Sequence, residues 1–156
     1  MGDIFEVTKK HLQKLAKTKE GQELLKQYDQ TIGFEVVGKD QVSEITKKYY
    51  YPRYKGPDVI GKERFVVDVK GGTLTFRNGE DVPVPASSLE EMDKYTKILA
   101  EKQTYLDLYS GKMRPVDALV PDCEQPTRLN IWPFLPKMPY VAWINQMIKL
   151  IVKQNQ

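Results

Sequence analysis

The chain has 156 residues, of which 40% are hydrophobic and 29% charged, and its net charge is +3 at pH 7. These values indicate one globular domain with a single core, and so small a charge does not require a nucleic-acid partner. Cys123 is the only cysteine and His11 the only histidine, so the sequence offers neither an intramolecular disulfide nor a Cys/His metal site. No apolar run has the length of a signal peptide or a membrane span, and we expect a cytoplasmic protein.

The first predicted element is an amphipathic N-terminal helix over residues 3–29. Asp3 is a suitable N-cap, and apolar residues then recur at helical spacing along one face. Gly21 weakens the centre, where the segment could also divide into two short helices; we favour one helix. His11 lies on the apolar side without a neighbouring nucleophile, and we interpret it as a helix-surface residue.

A sheet is predicted over about residues 31–100. Apolar and polar residues alternate from Thr31 to Val36, which indicates a half-buried strand. The same alternation in Phe65–Val69 and Leu74–Phe76, on either side of Gly71-Gly72, predicts an antiparallel hairpin. Asp68 in this hairpin is interpreted as an exposed carboxylate on the face opposite the apolar residues.

Residues 87–103 are ambiguous. A serine ahead of Glu90 and Glu91 signals a helix start near Leu89, and propensity favours a helix that continues to Tyr109. The alternation within Tyr95–Ala100 fits a strand equally well.

A helical joint over residues 102–120 follows. Gly111 lies where the first helix must end in a left-handed residue, and Pro115 can open the next helix without losing a needed N–H group. The segment is therefore predicted to be two short helices joined by a turn.

The last predicted elements, over residues 127–154, are a strand ending near Trp132 and a C-terminal helix from about Tyr140. Three prolines between them, in residues 133–139, prevent regular strand pairing. The apolar arc of the helix is wide, so the helix either packs deeply on the sheet or covers an apolar cavity.

The segment Lys47–Lys55 alternates lysine and arginine with tyrosine. Such a pattern can stack nucleic-acid bases or lie at a membrane surface, but a tyrosine-rich edge that covers the core explains it more simply. No phosphate loop, nucleophile elbow or zinc motif is present, and we interpret the acidic pairs as solvated helix or turn residues. We therefore expect neither an enzyme nor a cofactor.

The joint Tyr105–Leu119, with Gly-Lys followed by Pro and Ala-Leu, resembles the signature of the sterol carrier protein 2 (SCP2) family, whose members bind lipids in an apolar tunnel. The hairpin and the order of the final elements extend the resemblance to about the C-terminal two thirds of the chain. The sequence departs from the family at residues 121–126, where a second Gly-Lys is absent, and at residues 44–63, which are longer than the family's hairpin. The resemblance implies a single α+β domain over residues 1–156, with a strand at Tyr95–Ala100 and a mainly antiparallel sheet of four or five strands covered on one face by helices.

The resemblance also implies non-catalytic binding or transfer of a hydrophobic ligand, such as a fatty acyl, sterol-like or other lipid, in an apolar tunnel between the sheet and the C-terminal helix. Large apolar residues on the elements expected to meet are the predicted ligand contacts: Phe34, Phe65, Phe76, Leu106, Tyr109, Met113, Trp132, Phe134, Met138, Trp143, Met147 and Ile151. Two alternatives are a protein-interaction or homodimerisation module of the same fold, and a nucleic-acid binder that uses Lys47–Lys55. Transient contact with a membrane surface is compatible with ligand binding or transfer.

Overall fold

The computed structural model describes residues 3–38, 41–42, 63–82, 95–119, 128–132 and 138–155. The helices in these ranges are α1 (Ile4–Ala16), α2 (Lys19–Leu25), α3 (Lys102–Ser110), α4 (Pro115–Leu119) and α5 (Met138–Gln154). The strands are β1 (Gln30–Val36), β2 (Glu63–Lys70), β3 (Thr73–Asn78), β4 (Tyr95–Ala100) and β5 (Leu129–Trp132).

The strands form one sheet in the order β3-β2-β1-β4-β5. Three neighbouring pairs are antiparallel, and β1 and β4 are parallel. The register places Phe34 of the central strand β1 between Phe65 of β2 and Ile98 of β4. Side chains from this sheet face and from α1, α2, α3 and α5 share one hydrophobic core. The predicted α+β architecture and mainly antiparallel sheet of four or five strands are confirmed; the described sheet has five strands, with one parallel pair at the centre.

The prediction of one helix over residues 3–29 is wrong, because the chain breaks between α1 and α2. The Thr18 hydroxyl donates to the Leu15 carbonyl at 2.9 Å and accepts from the Gly21 amide at 2.9 Å, so it closes one helix and caps the next. A Cβ atom on Gly21 would lie 1.9 Å from the Leu15 carbonyl oxygen. Gly21 therefore permits the close contact that turns α2 back against the end of α1.

The interpretation of β1 as half-buried is also wrong, because both of its faces are covered. On the face opposite the helices, Glu35 has no exposed surface, and Gly33 lies beneath Val82. Val37 and Leu99 form a small second core with Val42 on that face. The apolar and polar residues of β1 therefore alternate in sequence without alternating in exposure.

The Asp68 carboxylate is not simply exposed. It faces away from the helices, accepts from the Thr31 hydroxyl at 2.8 Å and pairs with the Arg77 guanidinium at 2.9 Å, with about a third of its side chain exposed. Its role is structural, because it links three neighbouring strands through their side chains.

The strand Tyr95–Ala100 and the helical joint are confirmed. Gly111 adopts the left-handed conformation, with φ of 83°, at the end of α3, and α4 begins at Pro115. The final helix begins at Met138, two residues before the predicted start. The predicted features at Leu89, Lys47–Lys55 and residues 133–137 lie outside the described residues.

Candidate functional site

An apolar cavity of about 50 Å³ lies between the sheet and the helix layer. The strands contribute Ile32, Phe34, Val67, Val69, Leu74, Ile98, Leu129 and Ile131 to its lining. The helices contribute Thr8 and Leu12 of α1, Tyr105, Leu108 and Tyr109 of α3, and Ile144, Met147, Ile148 and Ile151 of α5. Every described strand and three helices therefore meet around one space.

Sequence periodicity explains how these residues converge. On the strands, every second side chain points towards the helices, so alternate residues such as Ile32 and Phe34 face the cavity together. On α5, the spacing of Ile144, Met147 and Ile151 places them on the same helical face. The cavity is therefore a product of the same apolar stripes that form the core.

The cavity also contains three hydroxyl-bearing side chains. The Thr8 and Tyr109 hydroxyl oxygens are 2.7 Å apart and form a buried hydrogen bond. The Tyr105 hydroxyl donates to the backbone carbonyls of Glu35, at 2.9 Å, and Ile98, at 3.2 Å. Burial raises the pKa of both tyrosines above the ordinary value, so each remains a neutral hydroxyl at physiological pH.

Four of the predicted ligand contacts lie at the cavity: Phe34, Tyr109, Met147 and Ile151. They come from β1, α3 and α5, as the sequence analysis expected. Whether they contact a ligand stays a prediction.

The other predicted contacts lie away from the cavity lining or cannot be placed. Phe65 is fully buried and stacks on Phe34, with ring centroids 4.8 Å apart. The Trp143 indole donates to the Leu24 carbonyl at 2.7 Å, so this ring joins α5 to α2. Three residues are partly buried at the margin of the core, namely Phe76, Leu106 and Met113. Phe134 and the side chains of Trp132 and Met138 lie outside the described part of the structure.

Sequence reasoning missed the aliphatic strand residues and the hydroxyl pair. The prediction favoured large aromatic and methionine side chains, whereas Ile32, Val67 and Ile98 line the cavity through strand alternation alone. That alternation is visible in the sequence. The bond between Thr8 and Tyr109 joins residues far apart in the chain, and no local pattern indicates it.

His11 is half-buried beside the hydroxyl pair, between α1 and α5. Its ring lies 5.2 Å from the Tyr109 ring, between centroids, and its Nδ1 is 3.1 Å from the amide nitrogen of Asn155. Burial lowers the pKa of His11, and the charges of Lys14 and Lys10 lower it further. His11 is therefore an uncharged neighbour of the cavity at neutral pH.

A second polar cluster lies on the opposite face of the sheet. The Lys97 ammonium is 3.1 Å from the Glu35 carboxylate and 2.8 Å from the Asp81 carboxylate. Desolvation raises the pKa of Glu35 to about 7; the attraction of Lys97 opposes this shift, and the nearby charge of Asp81 adds to it. Sequence reasoning did not single out Glu35, whose side chain has no exposed surface.

Within the described ranges, no group of three or more His, Cys, Asp or Glu side chains could hold a metal ion. None of the described helices combines the length and apolar character needed to cross a membrane.

The fold and the cavity define an α+β architecture in which helices enclose an apolar space over one sheet face. No family model and no curated protein sequence matches the chain. Solved structures do match. The crystal structure of sterol carrier protein 2 aligns with a TM-score of 0.56 and 15% identity, covering 96% of this chain and 98% of that one. A conserved hypothetical protein from Thermus thermophilus, described as possibly a sterol carrier protein, aligns with a TM-score of 0.51 and 14% identity over 92% of this chain and 82% of its own.

These similarities show that the chain has an SCP2-like fold, and the resemblance noted in the sequence is confirmed at that level. At such low identity the similarity establishes the fold alone.

Proposed function

We propose that this protein binds a long apolar molecule non-covalently, and without catalysis, in the cavity between the sheet and α1, α3 and α5. The observation that carries the proposal is the lining itself, whose side chains are apolar apart from the Thr8 hydroxyl and the two tyrosine hydroxyls. Burial of apolar ligand surface against such a lining stabilises a complex by roughly 25 cal/mol per Å². The names of the two similar structures support a lipid as the class of ligand.

The size of the cavity requires it to expand when a ligand enters. Its volume is about 50 Å³, whereas pockets for drug-sized ligands occupy roughly 300–1,000 Å³. Packing and a few side-chain hydrogen bonds, such as that of the Trp143 indole to the Leu24 carbonyl, hold α5 against its neighbours, whereas a backbone ladder holds the strands. The helix side of the lining can therefore move more readily than the strand side. Met147 suits such a wall, since a flexible thioether side chain repacks around irregular shapes.

Replacement of Met147 by Trp tests the proposal. Met147 lines the cavity from α5, and the larger indole should occupy the space into which a ligand must enter. Leu150→Trp is the matched control, because Leu150 is on the same helix, half-buried and outside the cavity lining. Native mass spectrometry of both variants and the wild type, as purified and after incubation with long-chain lipids, reports any bound molecule directly.

We expect the wild type and Leu150→Trp to carry or take up an apolar molecule, and Met147→Trp to lose at least about tenfold in affinity while it remains folded. Equal uptake by a folded Met147→Trp variant would place the ligand elsewhere. No uptake by any of the three proteins, together with a mass that rises with concentration, would instead favour the interaction module.

A further inference from the structure

The buried hydroxyl pair of Thr8 and Tyr109 affects which chemical group of a ligand the cavity can accept. The inference rests on the proposed function. We infer that Thr8 and Tyr109 bind an uncharged hydroxyl or carbonyl group at the buried end of the ligand. The same lining rejects a carboxylate at that position. The protein would thus prefer alcohols, sterol-like molecules or esters over free acids of equal chain length.

The hydrogen-bonding capacity of the pair is only partly used. Two hydroxyl groups carry two protons and four lone pairs, and the 2.7 Å bond between Thr8 and Tyr109 uses one proton and one lone pair. Within the described residues neither hydroxyl has another side-chain partner. A ligand hydroxyl or carbonyl can therefore take up the remaining capacity without breaking the existing bond.

The third hydroxyl in the lining is already engaged. Tyr105 uses its single proton in bonds to the carbonyls of Glu35 and Ile98, between the parallel strands β1 and β4. It is fixed to the sheet and has no proton left for a ligand. Among the residues that line the cavity, the Thr8–Tyr109 pair is thus the polar group that can donate to a bound molecule.

The charges around the cavity do not favour an anion. Its lining contains no charged side chain. His11, which packs against Tyr109, is held neutral by burial and by two lysines. The Lys9 ammonium lies over the rings of Phe5 and Phe76, 5.6 and 5.9 Å from their centroids, and does not line the cavity. A carboxylate placed there would lose its hydration without gaining a cation.

Three compounds of equal chain length separate the alternatives: dodecanol, dodecanoate and chlorododecane. The affinity of each compound for the wild type is measured at neutral pH from its displacement of an uncharged naphthylamine dye. We expect dodecanol to bind about tenfold more tightly than chlorododecane, which lacks the hydroxyl, and more tightly still than dodecanoate. The double variant T8V/Y109F should bind dodecanol no more tightly than chlorododecane, because it keeps the shape of the lining and leaves a buried alcohol without a hydrogen-bond partner.

A ligand that enters tail first would leave its polar end in solvent. Dodecanol would then bind T8V/Y109F as tightly as the wild type, which would overturn the inference and leave the proposed function intact. Dodecanoate binding the wild type as tightly as dodecanol would overturn it in the same way. Failure of all three compounds to bind the wild type would overturn the proposed function and the inference together.

A second measurement uses the wild type alone, in case the double variant does not fold. The affinity for dodecanoate relative to dodecanol is followed as the pH falls through the pKa of the free acid. A lining that rejects the charge predicts that this ratio rises as the acid becomes neutral, at least about tenfold. A ratio that stays constant would contradict rejection of the carboxylate.

Discussion

Glu35 and Lys97 form an ion pair of 3.1 Å between two side chains with no exposed surface, on the sheet face opposite the cavity. Asp81, a quarter exposed, contacts the same ammonium at 2.8 Å. One ammonium thus lies between two carboxylates, and it cannot fully compensate both. Desolvation of the fully buried Glu35 carboxyl outweighs the attraction of Lys97, and the nearby charge of Asp81 adds to it, so the pKa of Glu35 rises to about 7 despite its cationic partner.

This raised pKa predicts that the protein becomes less stable as the pH rises from 4.5 to about 7. In that interval the unfolded chain has already released the Glu35 proton while the folded protein retains it, so folding becomes more costly by up to about 3 kcal/mol. Glu35→Gln should remove this part of the pH dependence. Urea unfolding at a series of pH values measures it, with Glu23→Gln, at an exposed position of α2, as the control. Parallel profiles for the wild type and Glu35→Gln would contradict the assignment.

The ion pair also predicts a strong coupling between the two positions. Lys97→Met alone should lower the free energy of unfolding by about 3–5 kcal/mol, because it leaves a buried carboxylic group without its partner. The double variant E35L/K97M should be more stable than Lys97→Met, since both buried polar groups are then gone. A double-mutant cycle by urea denaturation gives the coupling energy. If the stability losses of the single variants add up to that of the double variant, Glu35 and Lys97 do not interact as described.

The close contact between α1 and α2 makes a third prediction. Gly21→Ala should destabilise the protein by about 3 kcal/mol or more, because the new Cβ would lie 1.9 Å from a backbone oxygen that cannot move alone. Gly71→Ala is the comparison: its φ is +58°, but no atom lies within 4 Å of the position that the added methyl group would take, so only the strain of about 1 kcal/mol is expected. Thermal unfolding of both variants shows which of them loses more stability. A smaller loss for Gly21→Ala would be inconsistent with the contact.

Local rules were sufficient where one or two residues determine the backbone. Gly111 and Pro115 fix the end of α3 and the start of α4 through their own allowed dihedral angles, and the joint was predicted correctly. The hairpin between β2 and β3 followed from alternation interrupted by Gly71-Gly72. These features depend on neighbours in the sequence.

Features that depend on distant contacts were not predictable in this way. The break at Thr18 is different, because it depends on the nearby residues Leu15 and Gly21; its local signal, a threonine that can cap a second helix, was outweighed by the apolar spacing that suggested a continuous helix. The burial of Glu35 requires its partner on β4 and the cover from Asp81. Four of the cavity residues were identified because amphipathic patterns show which face of an element is apolar. Such patterns do not show where the packed faces leave a space between them.

The response of the Met147 methyl group to an apolar ligand shows whether the ligand enters the cavity between the sheet and α5. In a protein with labelled methionine methyl groups, titration with dodecanol should shift the Met147 resonance, identified by its absence in Met147→Leu, because this side chain lines the cavity. Met113, which is half-buried outside the lining, should shift little. If dodecanol binds and leaves the Met147 resonance unchanged at saturation, the ligand is not held between the sheet and α5, and the account of the cavity is wrong.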